Sequence, residues 1–188
     1  MDAYVYLRAA AGRVEDVVIA LRGRHGVRRA TAVVGDWDVM AAVEAADFRS
    51  VATAVLRRIQ SVEGVTRTYT APVVPFEMLG VAGGGWPAPP LPMHGHEHAC
   101  YVHVRVDAGA VVDVVRALAA IEDVSGVAVV AGVYDVIAEI PLPWEQAAPV
   151  VLERIHPVPG VRDTTTLIAV PDLEADEDDE GAFPSSWA

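Results

Sequence analysis

One short segment of this chain is written twice, and it limits the possible folds more than any other feature. Residues 33–40 place an apolar run, a Gly, an aromatic residue and an Asp before apolar residues resume. Residues 130–137 repeat that pattern. Because glycine accepts positive φ angles, Gly35 and Gly132 predict tight turns that each join two strands.

The repeat extends beyond the hairpin over most of both halves. Residues of the first half recur 97 positions later up to the hairpin and 96 positions later after it, as in the pairs Tyr4/Tyr101, Gly12/Gly109, Asp38/Asp135, Leu56/Leu152 and Thr68/Thr164. A match that runs from the first predicted strand to the last predicts two copies of one unit. We assign residues 1–73 to the first repeat and residues 99–171 to the second.

Hydrophobic periodicity predicts the element order β-α-β-β-α-β in each repeat. The strands alternate apolar and polar residues, and the helices carry apolar stripes at spacings of three and four residues. The second helix of the first repeat is expected to bury Phe48, Ala52, Val55, Leu56 and Ile59. The last strand of that repeat places Thr66, Thr68 and Thr70 on one face.

The sheet face opposite the helices carries Tyr4, Tyr6 and Arg8, which suit contact with another sheet better than open water. Residues 1–73 have a formal charge of +2 and residues 99–171 a charge of −5, so the two repeats attract each other. We therefore predict an α+β fold in which two βαββαβ units pack sheet to sheet, with Tyr4 and Tyr101 inside the contact.

Composition excludes several classes of protein. The net charge is −12, which argues against direct binding of nucleic acid. No uncharged apolar run approaches the roughly 18 residues of a membrane span, and charged residues interrupt any signal-like segment at the N-terminus. The single Cys100 cannot form an internal disulfide, which fits a reducing compartment. We expect a soluble, cytoplasmic protein.

Two segments lie outside the repeats. Residues 74–98 are rich in Pro, Gly and His and read as a linker, and residues 172–188 form an acidic tail that we expect to be disordered. The sequence His-Gly-His-Glu-His-Ala-Cys at residues 94–100 has two interpretations, a zinc site or a solvated tract. We predict that no metal is required and that this tract is dispensable for folding.

Each repeat resembles the effector-binding (RAM) domain of the leucine-responsive/asparagine-type (Lrp/AsnC) bacterial regulators. The resemblance rests on the opening Tyr-Val-x-Leu/Val-Arg strand, the Gly-x-Trp/Tyr-Asp hairpin and the closing Gly-Val-x-x-Thr-x-Thr strand. It implies tandem ferredoxin-like βαββαβ sandwiches of the dimeric α-β barrel type. Because the first strand begins at residue 3, the helix-turn-helix of those regulators is expected to be missing.

The resemblance also implies where a ligand binds. In that family small effectors, typically amino acids, bind between subunits near the hairpin and the last strand. Carried over to this sequence, the candidate ligand-binding residues are Gly35, Trp37, Asp38, Thr68, Thr70, Gly132, Tyr134, Asp135, Thr164 and Thr166. An Asp suits an ammonium group, and hydroxyls with turn amides suit a carboxylate. The alternative is that each Asp only bonds the amides of its own turn.

We therefore predict a stand-alone effector-binding module, not an enzyme, with no cofactor. Its expected partners are an amino acid, other copies of the chain and full-length Lrp/AsnC relatives, with a role in transcription or amino acid metabolism. The competing hypothesis is a ferredoxin-like enzyme, similar to siroheme decarboxylases or cofactor-free monooxygenases, with Tyr6, Tyr101, His103 and Arg105 as acid-base candidates. Interface packing is the alternative role for those four side chains. A third hypothesis is a purely structural partner with a vestigial pocket.

Overall fold

The computed structural model describes residues 1–79 and 98–171, and these residues form two copies of one α/β unit. The first repeat consists of β1 (Asp2–Ala9), α1 (Val14–Arg22), β2 (Val27–Val34), β3 (Val39–Glu44), α2 (Phe48–Ala54) with a π-helical continuation (Val55–Ile59), and β4 (Val65–Pro72). The element order predicted from periodicity is confirmed. Asp47 caps α2 by accepting a hydrogen bond from the backbone N–H of Ser50 at 2.8 Å.

The second repeat follows the same order. It consists of β5 (Cys100–Val106), α3 (Val111–Ala119), β6 (Gly126–Val129), β7 (Val136–Ile140), α4 (Trp144–Pro149) with a π-helical continuation (Val150–Ile155), and β8 (Val161–Ala169). Pro149 ends α4, but the first repeat has the same wide turn without a proline. The π-helical turn is therefore a property of the repeat and not of Pro149.

The strands of both repeats form one antiparallel sheet of eight strands, in the order β4-β1-β3-β2-β8-β5-β7-β6. The edge strand β2 pairs with β8 through Val33 and Val34. At the other edge, the backbone N–H of Val74 donates to the carbonyl of Val129 at 2.8 Å, and that of Ala131 donates to Pro72 at 2.9 Å. These short contacts, two residue pairs between β2 and β8 and one isolated bridge between Val73 and Val130, close the sheet into a barrel.

The core has three parts, which follow from the alternation of each strand. In β1, Ala3, Val5 and Leu7 face the helices of the first repeat, and the helix side of β5 faces the second pair of helices. The third part lies inside the barrel between the two repeats and contains Tyr4 and Tyr101, each 2% exposed. The prediction that both tyrosines lie inside the contact between the repeats is confirmed.

One detail of the predicted helix packing is wrong. The buried face of the second helix of the first repeat consists of Val51, Ala54, Val55 and Ile59. Phe48 is instead 60% exposed and Leu56 is 63% exposed. Leu56 lies in the π-helical turn, which changes the rotation per residue, whereas Phe48 is the first residue of α2 and precedes the buried face that begins at Val51. No helix among the described residues has the length and apolar character needed to cross a bilayer.

Candidate functional site

The two hairpins meet through a group of ring side chains inside the barrel. This aromatic cluster consists of Tyr6, Trp37, Tyr69, His103 and Tyr134, with neighbouring ring centroids 4.7 to 6.5 Å apart. Tyr69 of β4 stacks against Trp37 of the first hairpin and meets Tyr134 of the second hairpin edge-on. Each hairpin therefore contributes its aromatic residue to one shared cluster.

At the centre of the cluster, His103 Nε2 and the hydroxyl of Tyr6 lie 2.7 Å apart. These residues occupy the same position in the two repeats, 97 residues apart, so the pseudo-twofold axis passes between them. Burial lowers the pKa of His103 to about 4 and raises the pKa of Tyr6 well above its usual value. His103 is therefore a neutral imidazole at physiological pH.

The aspartate of each hairpin bonds the end of the first strand of its repeat. Asp38 Oδ2 accepts a hydrogen bond from the backbone N–H of Ala9 at 2.9 Å, and Asp135 Oδ2 accepts one from Val106 at 2.8 Å. Both amides lie at a register shift in the strand, where ladder pairing is interrupted. Each carboxylate thus bonds the amide at the end of a distant strand and not an amide of its own turn.

The charges around the two hairpins differ. Arg8 Nη1 donates to Asp38 Oδ1 at 3.1 Å, and the guanidinium groups of Arg8 and Arg67 lie 5.9 and 5.7 Å from the ring centroid of Trp37. In the second repeat, Arg105 Nε instead donates to Asp163 Oδ1 at 2.9 Å. The first hairpin therefore has two cations beside its aromatic ring.

Gly35 and Gly132 lie where each hairpin crosses the last strand of the other repeat. Gly132 has a φ of +154°, and a Cβ there would lie 1.8 Å from the Tyr69 hydroxyl, which accepts a hydrogen bond from the backbone N–H of Val133. Gly35 has a φ of +143°, and a Cβ there would lie 2.7 Å from Leu167 Cδ2. Both positions need glycine for close approach and for backbone conformation.

The four candidate threonines lie on the opposite side of their strands from the aromatic cluster. Thr68 and Thr70 pair with Leu7 and Val5, whose side chains face the helices, and Thr164 and Thr166 pair in the same way with Val104 and Val102. Directly paired residues share a sheet face. The structure therefore separates the threonines from Trp37 and Tyr134.

In the first repeat the threonines line a groove of about 380 Å³, which we call the threonine groove. Its other walls are apolar side chains of α2 and its continuation, together with Gln60 and Pro72. Gln60 Nε2 donates to Thr68 Oγ1 at 2.8 Å. In the second repeat His156 Nε2 contacts Thr164 Oγ1 at 2.7 Å. The π-helical turns end next to Gln60 and His156 and so direct these side chains toward the threonines.

The sequence did not identify Gln60, Arg67, Tyr69 or His156 as parts of these sites. Gln60 and His156 are related by the 96-residue offset, and each follows the last apolar residue of its helix. Comparison of the two repeats could therefore have identified this pair as a matched polar position. Tyr69 lies between Thr68 and Thr70, and strand alternation places it on the other face. Of the four acid-base candidates, Tyr6, Tyr101 and His103 are buried between the repeats, as expected for interface packing, and Arg105 pairs with Asp163.

The possible metal tract is only partly described, because residues 94–97 lie outside the described residues. Within the described part, His98 is exposed, whereas Cys100 is buried in the helix-side core of the second repeat. Burial raises the pKa of the Cys100 thiol to about 11. No group of three or more His, Cys, Asp or Glu in residues 1–79 and 98–171 is arranged to hold a metal ion.

The arrangement of two barrel-forming βαββαβ units agrees with comparison to known families. The family model described as the Lrp/AsnC ligand binding domain matches residues 2–75 and again residues 99–175. The chain belongs to this family. Its two Lrp/AsnC ligand-binding domains correspond to the two repeats of the sequence, and their ferredoxin-like fold is the one that the resemblance implied.

Comparison with solved structures finds several similar chains. The chain is 32% identical to TTHA0845 from Thermus thermophilus, with 37% of this chain and 86% of that chain covered and a TM-score of 0.36. It is 12% identical to the siroheme decarboxylase NirDL, with 90% of this chain and 71% of that chain covered and a TM-score of 0.64. It is 17% identical to the transcriptional regulator NMB0573 from Neisseria meningitidis in complex with L-Met, with 39% and 49% covered and a TM-score of 0.36. A search of curated protein sequences finds no match.

Proposed function

We propose that this chain is an effector-binding module that binds an amino acid and responds by changing its assembly with other copies or with Lrp/AsnC relatives. The observation that carries the proposal is the twofold match to a ligand-binding domain, combined with a threonine-lined groove beside exposed apolar side chains. On this proposal the chain regulates and does not catalyse.

The threonine groove offers the two kinds of contact that an amino acid needs. The hydroxyls of Thr68 and Thr70 and the amide of Gln60 supply hydrogen-bond donors for a carboxylate, and Phe48 and Leu56 supply apolar surface for a side chain. A site of this type, mostly apolar with a few directed polar groups, is typical of small-molecule pockets. Thr164, Thr166 and His156 are the corresponding donors that we propose in the second repeat.

The groove lies beside surface that favours assembly. Phe48 and Leu56 are exposed in the first repeat, and their second-repeat counterparts Trp144 and Leu152 are 40% and 61% exposed. Large exposed apolar side chains at matched positions mark an interaction surface more often than isolated ones do. We propose that a second molecule covers this surface and completes the effector site, so that binding and assembly are coupled.

The hairpin residues remain a second proposed contact region. Both carboxylate oxygens of Asp38 are bonded, one to Arg8 and one to Ala9. Asp135 uses Oδ2 for Val106, and Oδ1 has no hydrogen-bond partner among the described residues. The second hairpin, with Gly132, Tyr134 and Asp135, therefore offers a carboxylate oxygen to an ammonium group. The first hairpin, with Gly35, Trp37 and Asp38, does not, because both oxygens of its carboxylate are already bonded.

Calorimetry and thermal unfolding with each of the twenty amino acids test the proposal. A ligand at ~100 times its Kd stabilises the fold by ~2.7 kcal/mol, which raises the Tm by roughly 5–10 °C for a chain of this size. We expect Thr68→Val to weaken that response in the first repeat and Thr164→Val to weaken it in the second. Light scattering with and without the active amino acid measures the coupled change in assembly.

Two outcomes would count against this assignment. If no amino acid shifts the Tm or the assembly state, the effector-binding proposal is wrong. If Asp135→Asn abolishes the shift while both threonine variants retain it, the effector binds at the hairpin and not in the threonine groove. Thr66→Val is a matched control, because Thr66 shares the strand face of Thr68 and donates to the carbonyl of Arg8 instead of lining the groove.

A second candidate function is the processing of an iron tetrapyrrole. Two observations favour it: the fold agrees with siroheme decarboxylase NirDL over 90% of this chain, and one NirDL structure holds an iron-uroporphyrin III analogue. The buried pair of Tyr6 and His103 would supply the polar groups. An absorbance titration with iron uroporphyrin III distinguishes the candidates. A shifted Soret band that His103→Gln removes would favour this function over amino acid binding.

A further inference from the structure

The described residues of the first repeat form an apolar groove beside the point where the described chain ends after β8. This first-repeat groove has a volume of about 300 Å³. Its lining comes from α1, from the edge of β2 and from the residues after β8, namely Val14, Glu15, Val18, Ile19, Arg22, Ala32, Val33, Val34, Val170 and Pro171. It is separate from the aromatic cluster and from the threonine groove.

The corresponding region of the second repeat is covered by the chain itself. After β4, the chain forms a short 3-10 helix (Phe76–Leu79), and Val74, Phe76 and Leu79 pack against the helix-side core of the second repeat. This segment begins at the hydrogen bond from the N–H of Val74 to the carbonyl of Val129 in β6. The segment that follows the last strand of one repeat therefore covers the other repeat.

The chain after β8 begins the same course on the first repeat. The N–H of Val170 donates to the carbonyl of Ala32 in β2 at 2.9 Å. Val170 corresponds to Val74 at the 96-residue offset, and Ala32 corresponds to Val129 at the 97-residue offset. The internal symmetry thus places Val170 and Pro171 at the first-repeat groove, as it places Val74 on the core of the second repeat.

The rim of the first-repeat groove is more apolar than its counterpart. Ile19 is 48% exposed and Val34 is 60% exposed, whereas the second repeat has Arg116 and Ala131 at these positions. Water-exposed apolar groups of this size favour an apolar occupant. The rim of the first-repeat groove therefore offers an occupant more apolar surface than the matched positions of the second repeat do.

We propose that residues 172–188 of this chain, here called the C-terminal segment, dock in the first-repeat groove. The segment carries apolar residues on both sides of its acidic run, with Leu173 before it and Phe183 and Trp187 after it. Its seven acidic residues are attracted to a repeat whose formal charge is +2. Residues 176–180 act as the solvated tether that the sequence predicts, and the apolar residues make the contact.

Crosslinking in the full chain tests this docking. Ser186→Cys is combined with Glu15→Cys, which lies at the groove, or with Asp113→Cys, which lies on the equivalent helix of the second repeat. The fifteen residues from Pro171 to Ser186 span up to about 50 Å, so both cysteines lie within reach. The native Cys100 is buried, which keeps its thiol away from a bis-maleimide reagent.

We expect the Glu15→Cys pair to form an intrachain crosslink about tenfold faster than the Asp113→Cys pair, because docking raises the local concentration at the groove. Adding Trp187→Ser or Val34→Asp should reduce that rate to the control value. Val34 is exposed, so its substitution tests the groove without opening the core. Equal rates at both helices would overturn the proposal. Crosslinks that join two chains would overturn it as well, because they would make a second copy the occupant.

Discussion

The two hairpins are built on the same backbone contacts but differ in the charged side chains around their aromatic rings. In the first, Trp37 lies beside the guanidinium groups of Arg8 and Arg67. In the second, Asp163 replaces Arg67 at the matched position and pairs with Arg105. The exchange of Arg67 for Asp163 on the last strand thus leaves two guanidinium groups beside Trp37, whereas the matched arginine of the second repeat, Arg105, pairs with a carboxylate.

The retained contacts show what the fold requires. In both repeats an Asp bonds the strand-end amide, and a Gly allows the hairpin to cross the last strand of the other repeat. The diverged residues show what the fold does not require. Because one chain carries both repeats, a substitution in one hairpin leaves the sequence of the other hairpin unchanged. We therefore expect the two hairpins to differ in ligand preference.

The same freedom is visible on the pseudo-twofold axis. In a symmetric dimer of identical units the residues that meet on the axis must be identical. Here Tyr6 meets His103, and a hydrogen bond joins the unlike pair. The tandem arrangement therefore places one titratable imidazole at the centre of the barrel.

The largest effect that we expect concerns this asymmetric pair. His103 is neutral in the folded state, with its pKa lowered to about 4, while the unfolded chain binds a proton near the ordinary value of 6.5. Between these values the unfolded state holds more protons, so the stabilisation is complete above pH 6.5 and is lost as the pH falls to about 4. The loss should be roughly 3 kcal/mol.

Urea unfolding at a series of pH values from 7.5 to 4 measures this loss. His103→Gln keeps a hydrogen-bonding side chain beside Tyr6 without an imidazole, so the carboxylates contribute equally to both curves. We expect the variant to lose about 3 kcal/mol less over this range than the natural chain. Parallel curves would show that His103 does not titrate between the two states.

The next effect distinguishes the two glycines. Gly132→Ala and Gly35→Ala should each lower the free energy of unfolding by about 2 kcal/mol through backbone strain at positive φ. At Gly132 the new Cβ also meets the Tyr69 hydroxyl, so Tyr69→Phe should partly restore the stability of Gly132→Ala. At Gly35 the neighbours are Leu167 and a backbone carbonyl, and Tyr69→Phe should have no such effect. Double-mutant cycles measured by denaturant unfolding test this difference.

A smaller effect should separate the two aspartates. Asp38→Asn and Asp135→Asn each lose a charge-assisted hydrogen bond to a backbone amide, at about 1–2 kcal/mol. Asp38→Asn should cost more, because it also leaves Arg8 beside Arg67 without its carboxylate partner. Equal losses of stability in the two variants would mean that the ion pair between Arg8 and Asp38 does not contribute to the free energy of unfolding.

The sequence predicted the fold from particular residues. The 97-residue offset and the alternation of Tyr4 and Tyr6 with Val5 and Leu7 were enough to predict two units with their tyrosine faces in contact. The pairing of β2 with β8 and the closure at Val73 and Val130 could not be predicted, because the register between distant strand edges depends on the packing of the whole barrel.

The candidate site was harder to predict than the fold. Alternation correctly places Thr68 and Thr70 on one face, but the sequence alone does not show that Trp37 lies on the other face. The role of Asp38 also depends on a partner that is distant in sequence, the amide of Ala9. The site brings together residues of different strands, and their proximity depends on tertiary packing, which a short sequence motif does not specify.

The smallest effect that we expect tests the charge difference directly. Arg67→Asp gives the first hairpin the charge pattern of the second, with Arg8 between two carboxylates, and Asp163→Arg gives the reverse. Arg8 and Arg105 are 43% and 52% exposed, so solvent screens these pairs and each change should alter the free energy of unfolding by only about 0.5 kcal/mol. The sign should differ: Arg67→Asp relieves the repulsion between two guanidinium groups, whereas Asp163→Arg creates that repulsion. Both changes should shrink as salt is raised from about 0.05 to about 0.5 M, because the Debye length shortens and solvent ions screen exposed charges more strongly. Urea unfolding at the two salt concentrations measures both changes.

A loss of stability in Arg67→Asp that persists in high salt would show that Arg67 acts through its packing on Trp37 and not through its charge.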